Sequence, residues 1–391
     1  MNVYADHAAT TPLRPVALAE MTEALRETYG NPSSVHSVGQ EAKIALEAAR
    51  YTVASALGCK TGEITFTASA SEANNQALLS AAAISAELGK MHLISTAIEH
   101  HSVLHTLDQL KLMGFEVTLV PVGPDGIVDP ARIHAAIREN TGVVSVMAAN
   151  NEVGSIQPVA EIAALCQIAN VLFHVDAAQA VGHMDVRVDD WNVDLLTLSA
   201  HKFGGPKGAA ALYARTGLDL SPMVQGGPQE RGKRAGTENV PAIVGMAAAL
   251  EDALTHQKEE NARTLSLREK LIRGLLAIPG VTLNGPRDER TEEEIRTGTL
   301  GTRLPGNVNV CFEGVASEPL LVLLNDAGIC ASAGSACQSG ALDPSHVLLA
   351  LGRSKNEAMS ALRLTLGATN TDDEVDYLLE QIRRAVDHLR G

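Results

Sequence analysis

Two residues of this 391-residue chain are well suited to covalent chemistry, Lys202 and Cys337. Lys202 stands in LTLSAHKFGGPKG, where an apolar run from Leu196 ends in Ser-Ala-His-Lys and a Gly-Gly-Pro turn follows at once. Strand, polar rim and turn make the mouth of a site in an α/β protein. A lysine held there by burial and nearby positive charge gives up its proton and can attack a carbonyl to form an imine. Taken alone, Lys202 reads more readily as a solvated loop lysine. Cys337 stands in GSACQSG, a stretch too small and polar for a core. A thiolate there is a candidate nucleophile, and a chance surface cysteine is the alternative.

Other residues give this pair a context. Asp176 ends an apolar run, and a shielded carboxylate there would keep a pyridine nitrogen protonated. Ala68-Ser-Ala-Ser-Glu-Ala-Asn-Asn75 leads from an apolar run into a helical stretch, so Ser69 and Ser71 sit where unpaired N–H groups form a phosphate-sized anion site. Ser199 and His201 are further phosphate candidates. The Gly and Gly-Lys-Ser/Thr pattern of a nucleotide loop is absent, and ordinary helix caps use the same small polar residues. His100 offers a flat ring for stacking on a planar cofactor. Arg363, in ALRLTLG, could clamp an α-carboxylate in bidentate fashion, or be a surface ion-pair member. Aldehyde, ring nitrogen and phosphate together describe pyridoxal phosphate.

The elements that must position these groups follow from the alternation of short apolar runs with helical stretches. Strands are predicted at 63–67, 91–95, 116–121, 143–149, 171–175, 195–198 and 209–213, with helices between most of them. That is the pattern of βα units around a mostly parallel sheet. Ser71, His100, Asn151, Asp176, Gln179, His201 and Lys202 all fall just past the C-terminal ends of such runs, where open α/β sheets bind ligands. A long helical stretch at 242–276 suits a crossing between domains. Residues 287–296, RDERTEEEIR, read as a solvated charge run, and 225–239 as a surface or interface loop.

Composition narrows the classes. Mean hydropathy of +0.04 and 45% hydrophobic residues fit a compact enzyme and exclude disorder. The net charge of −15 disfavours nucleic-acid binding. No apolar run has membrane-spanning length, and the N-terminus has no signal-peptide pattern, so a cytoplasmic location without membrane contact is expected. Cys59, Cys166, Cys311, Cys330 and Cys337 are scattered with no C-x-x-C, which argues against disulfides or a protein-only zinc site. The first four read as core residues.

The motifs DHAATTP from Asp6, GNPSSVH from Gly30, SASEANN from Ser69, EHHSVL from Glu99, NNEVG from Asn150, HVDAAQAVG from His174, SAHKFGGPKG from Ser199, RAGTEN from Arg234 and GSACQSG from Gly334 span the chain. In them the sequence resembles the NifS/IscS-like cysteine desulfurases, class V aminotransferases of the fold-type I pyridoxal-phosphate group. The resemblance implies a homodimer with a large domain at 16–260 built on a seven-stranded sheet. A smaller α/β domain would comprise 1–15 and 261–391, with the cysteine loop at about 328–342.

The resemblance also implies roles. Lys202 would bind the cofactor and remove the substrate α-proton. His100 would stack on the ring and assist proton transfer, Asp176 would pair with the ring nitrogen, and Gln179 with the ring hydroxyl. Asn151 would lie near ring and substrate. Ala70, Ser71, Ser199 and His201 would bind phosphate, with Thr237 from the other subunit. Arg363 would hold the carboxylate of L-cysteine, and Cys337 would take its sulfur as a persulfide, leaving L-alanine. The implied acceptor is an iron–sulfur scaffold of the IscU/NifU type or a tRNA-thiolation pathway. Cys337 could serve as a transient cluster ligand in such a complex, with no metal in the isolated enzyme. The chain departs from the family pattern at Ser71, commonly threonine, and at Ala368, commonly basic. A selenocysteine lyase and a catalytically silent sulfur-delivery subunit are the competing readings.

Overall fold

The computed structural model describes residues 1–288, 290–333 and 343–391. Cys337 lies outside the described residues. The large sheet has seven strands: β1 Ile64–Thr67, β2 His92–Thr96, β3 Glu116–Val120, β4 Thr141–Met147, β5 Leu172–Asp176, β6 Leu195–Ser199 and β7 Ala210–Ala214. Their order is β1-β7-β6-β5-β4-β2-β3, parallel except for β7, which runs antiparallel to β1 and β6. Strands β2, β4, β6 and β7 are buried along their whole length. Helices cover both faces, which is why these segments read as continuous apolar runs rather than alternating ones.

A smaller antiparallel sheet follows, made of β8 Val281–Leu283, β9 Asn307–Phe312 and β10 Ala361–Thr365, with β9 central. Val3–Tyr4 pairs in parallel with Ile329–Cys330, so the N-terminal arm is stitched to the C-terminal part of the chain. This is the mostly parallel seven-stranded α/β architecture, with a smaller α/β unit, of fold-type I transferases. The 37-residue helix Val240–Leu276 serves two apolar clusters: Ile243, Leu250 and Ala253 pack with the large sheet, while Leu267, Leu271 and Leu275 pack with the small one. On that basis we propose the domain division near residue 260.

Three local expectations are corrected. The stretch around Ser71 is not a loop leading to a helix at 76, because the helix already begins at Ala70. Ser69 is its N-cap, accepting from Glu72 N–H at 3.1 Å while the Glu72 carboxylate accepts from Ala68 N–H at 2.9 Å. That reciprocal pair outweighs the turn preference of the serines. The charge run is more than solvated. Asp288 reaches the wholly buried Arg268 at 3.2 Å, and Thr291 caps a short helix, Glu292–Arg296, in a capping box with Glu294. Cys330 is exposed, not in the core, because it ends an edge strand of only two residues.

A buried ion pair ties the 225–239 segment to the sheet. Arg50 grips Glu230 with two bonds of 2.8 Å, both side chains 2% exposed, and the same carboxylate accepts from Phe66 N–H on β1. Removing one partner leaves an uncompensated buried charge, which costs about 3–5 kcal/mol. Glu230→Ala is therefore expected to lower unfolding free energy by about that amount in urea melts.

Candidate active site

Four strand ends converge on one side of the sheet. Asp176 is the last residue of β5, Ser199 the last of β6, and Glu99–His100 and Asn150–Asn151 follow β2 and β4 within a few residues. Parallel neighbours deliver their C-termini to one edge, so residues far apart in sequence meet there.

Asp176 is buried, and its donors are neutral: Asn74 Nδ2 at 2.7 Å and Ala178 N–H at 3.0 Å. A carboxylate so placed suits a cationic ring N–H. The same Asn74 Nδ2 also donates to Ser102 Oγ at 2.9 Å. Ser102 Oγ lies 2.8 Å from His100 Nδ1, which also accepts from Ser102 N–H. A carboxylate only accepts, so Asn74 must present its amide NH₂, and the Ser102 hydroxyl is left to donate to His100. The neutral ring then carries its proton on Nε2. Burial holds His100 below its ordinary pKa, opposed by Asp176 and reinforced by His101 and Lys202. Asn74 and Ser102 were not singled out from sequence. The available signal was an asparagine pair on the first turns of an alanine-rich helix.

Lys202 sits on a 3₁₀ turn, Ala200–Lys202, directly after β6. Its Nζ donates to the Ala8 and Ala9 carbonyls at 2.6 and 2.9 Å. The turn is bound tightly to the N-terminal arm. Thr11 N–H donates to the His201 carbonyl, Gly204 N–H to Thr11 Oγ1, and Arg14 N–H to the Gly204 carbonyl. Gly204 has φ +85°, and a Cβ on Gly205 would lie 2.8 Å from the Ala200 Cβ, so the Gly-Gly pair is required by this turn. Gln179 is buried and donates to the same Ala8 carbonyl at 3.0 Å. A cavity of ≈ 420 Å³ opens behind this turn, lined by His7, Gln179, His183 and Lys202 but not by His100 or Asp176. It therefore lies on the Lys202 and Gln179 side, away from His100 and Asp176.

At the anion end, Ala70 and Ser71 open the 18-residue helix Ala70–Glu87 and present its first N–H groups, with Ser71 exposed. The nearby negative charge of Glu72 is matched by Arg234 at 2.9 Å. His201 lies 3.2 Å from Thr10 Oγ1, and burial, helped by Lys202 and Lys207, pulls its pKa down to about 4. It is neutral at pH 7 and would act on an anion as a hydrogen-bond donor. Thr237 is exposed on the segment that carries Arg234.

Arg363, on β10 and 1% exposed, donates to Asp6 Oδ1 at 2.8 Å and to the Asn151 carbonyl at 3.1 Å. Its buried Nε has no hydrogen-bond partner. The guanidinium is thus held from two sides while its Nε–H is left unpartnered. The set as a whole fits pyridoxal phosphate: a buried carboxylate with neutral donors, a neutral imidazole, a helix N-terminus and a lysine on one rim. Among the described residues no group of histidine, cysteine and acidic side chains could hold a metal.

The aminotransferase class-V family profile matches residues 3–378. A cysteine desulfurase IscS of Clostridium botulinum strain Hall is 46% identical over 390 residues, covering 100% of this chain and 95% of the relative. The IscS of Methanosarcina thermophila is also 46% identical, over 100% of this chain and 93% of its own. Among solved structures, a NifS-like protein superposes with a TM-score of 0.90 at 39% identity, covering 99% of this chain and 100% of that one. A structure described as SspA in complex with cysteine gives 0.80 at 34%, covering 94% and 99%. The chain belongs to the class-V aminotransferase family, whose members are fold-type I pyridoxal-phosphate enzymes. Within it the chain falls among the NifS/IscS-like cysteine desulfurases.

Glu99, next to His100, is fully buried, with Oε1 accepting from Thr96 Oγ1 and Met147 N–H and Oε2 unpartnered. Burial raises its pKa from 4.5 to about 8, so the folded protein keeps a proton that the unfolded chain loses above pH 4.5. Stability from this residue is fully present below that value and is lost as pH rises through 8. Glu99→Gln abolishes the titration. The variant's Tm relative to the parent should therefore climb steadily between pH 5 and pH 8 in paired thermal melts.

Proposed function

We infer that this chain converts L-cysteine to L-alanine and retains the sulfur as a persulfide on Cys337. The observation that carries this reading is the convergence of Asp176, His100 and Lys202 on one strand-end rim, with Arg363 held across from them by Asp6 and Asn151. Pyridoxal phosphate, when bound, supplies an electron sink that makes the substrate Cα proton acidic. Asp176 would take the ring N–H, His100 would stack on the ring, and Gln179 would pair with the ring hydroxyl. The start of the helix Ala70–Glu87, with Ser71, Ser199 and His201, would hold the phosphate.

Arg363 binds the substrate carboxylate, which orients the side-chain sulfur away from the clamp. The Lys202 amine, once free of its proton, accepts the Cα proton. The Cys337 thiolate then attacks the substrate sulfur: an S–S bond forms, the Cβ–S bond breaks, the former cysteine Cβ takes up the proton that the Cys337 thiol gave up, and Lys202 returns its proton to Cα to complete alanine. One thiol becomes one persulfide, and no outside oxidant or reductant is needed.

We also propose that the chain works as a homodimer in which Thr237 of one copy completes the phosphate site of the other, and that it acts in the cytoplasm. No helix among the described residues is long and apolar enough to cross a membrane. The persulfide acceptor is proposed to be an iron–sulfur scaffold of the IscU/NifU type, with tRNA thiolation drawing on the same sulfur. Cys337→Ala is expected to keep the visible absorbance of the bound cofactor and its change on adding cysteine, while alanine formation falls by about a hundredfold or more. Unimpaired alanine formation in that variant would contradict the assigned nucleophile.

A further inference from the structure

The strand-end turns that carry His100 and Asn151 do a second thing: they bind the chain at Ser345 and His346. Ser345 lies eight residues beyond Cys337 in the sequence and caps the short helix His346–Ala350, its Oγ accepting from Leu348 N–H at 3.2 Å. The same hydroxyl donates to Glu152 Oε2. The next residue, His346, donates from Nε2 to the Glu99 carbonyl at 3.0 Å. Two consecutive residues are thus bonded to two glutamates, one following Asn151 and one preceding His100.

Glu152 is itself immobilised. It is 3% exposed, its N–H donates to Asn150 Oδ1 at 2.9 Å, and its carbonyl accepts from Asn307 and Asn309 at 3.3 and 3.1 Å. The carbonyl before it, of Asn151, holds Arg363. One turn therefore joins the proposed carboxylate clamp, the central strand of the small sheet and the return of the chain at Ser345. A buried carboxyl spent on a serine of another element is a costly way to make an ordinary contact, because its desolvation must be offset by the bonds it accepts.

We propose that Glu152 is a positioning residue for sulfur transfer, anchoring the chain at Ser345 to the turn that holds Arg363, so that the substrate clamp and the root of the Cys337 segment share one fixed point. The inference rests on the cysteine desulfurase reading. Eight residues span at most about 26–29 Å fully extended, and the anchor fixes the centre of that reach. Loosening the anchor releases the fixed point eight residues from Cys337 and lowers the effective concentration of its thiol at the substrate sulfur. Cysteine binding, which uses Arg363 and the cofactor, is left in place.

The test compares Ser345→Ala, Glu152→Met and Glu152→Gln with the parent holoenzyme. Spectral titration with L-cysteine reads binding, and single-turnover mass spectrometry of the Cys337 peptide reads persulfide formation. Ser345→Ala and Glu152→Met are expected to slow persulfide formation about tenfold while the apparent Kd for cysteine moves less than about twofold. Glu152→Gln retains an acceptor for Ser345 and should stay within about twofold of the parent in both. Glu152→Met keeps the helix cap that Ser345→Ala removes, so agreement between them assigns the effect to the anchor. If Glu152→Met does not fold, Ser345→Ala decides alone. Unchanged persulfide rates, or a loss of cysteine affinity in step with the rate, overturn the proposal. A parent enzyme that forms no persulfide at all overturns the underlying reading and the proposal with it.

Discussion

The structure depends on a carboxylate placed in the interior at the end of a strand. Asp176 ends a central strand, is removed from solvent, and accepts from an asparagine amide and a backbone N–H. These two donors are neutral and bring no countercharge of their own. Such a group is worth its desolvation cost if something cationic is to be placed against it. Around it the fold supplies a neutral imidazole, a lysine on a glycine-enforced turn and a helix N-terminus, each from a different strand end.

The N-terminal arm is the second constraint. Residues 3–14 pair with Ile329–Cys330, accept the Lys202 ammonium on two carbonyls, and place Asp6 on Arg363. A single stretch therefore touches both Lys202 and Arg363. Arg363 belongs to the small sheet and Lys202 follows a strand of the large one, so the arm and the Glu152 turn tie the two together.

Much of this was legible in the amino-acid sequence, and the reason differs by residue. Asp176, Ser199 and Lys202 terminate apolar runs, so strand periodicity alone places them on the rim. The individual strands follow from the same runs, with ends shifted by a residue or two, while the seven-stranded sheet was what the family resemblance implied. Asn74, Ser102 and Glu152 were not legible because their partners lie 102, 28 and 193 residues away. Only the packing of helix on strand brings them together. The charge run at 287–296 misled for a related reason: Asp288 serves a buried arginine on another element, and nothing local marks it out from its exposed neighbours. Ser69 and Ser71 read as a loop because serine favours turns and caps alike.

The central claim is that sulfur leaves cysteine for the thiol of Cys337. The most direct measurement is a single turnover of the holoenzyme with sulfur-labelled L-cysteine, followed by peptide mass spectrometry and alanine quantification. The account predicts one labelled sulfur on the peptide containing Cys337 for each alanine released. Label on Cys330 or another cysteine, or alanine released with no protein-bound label, would contradict it.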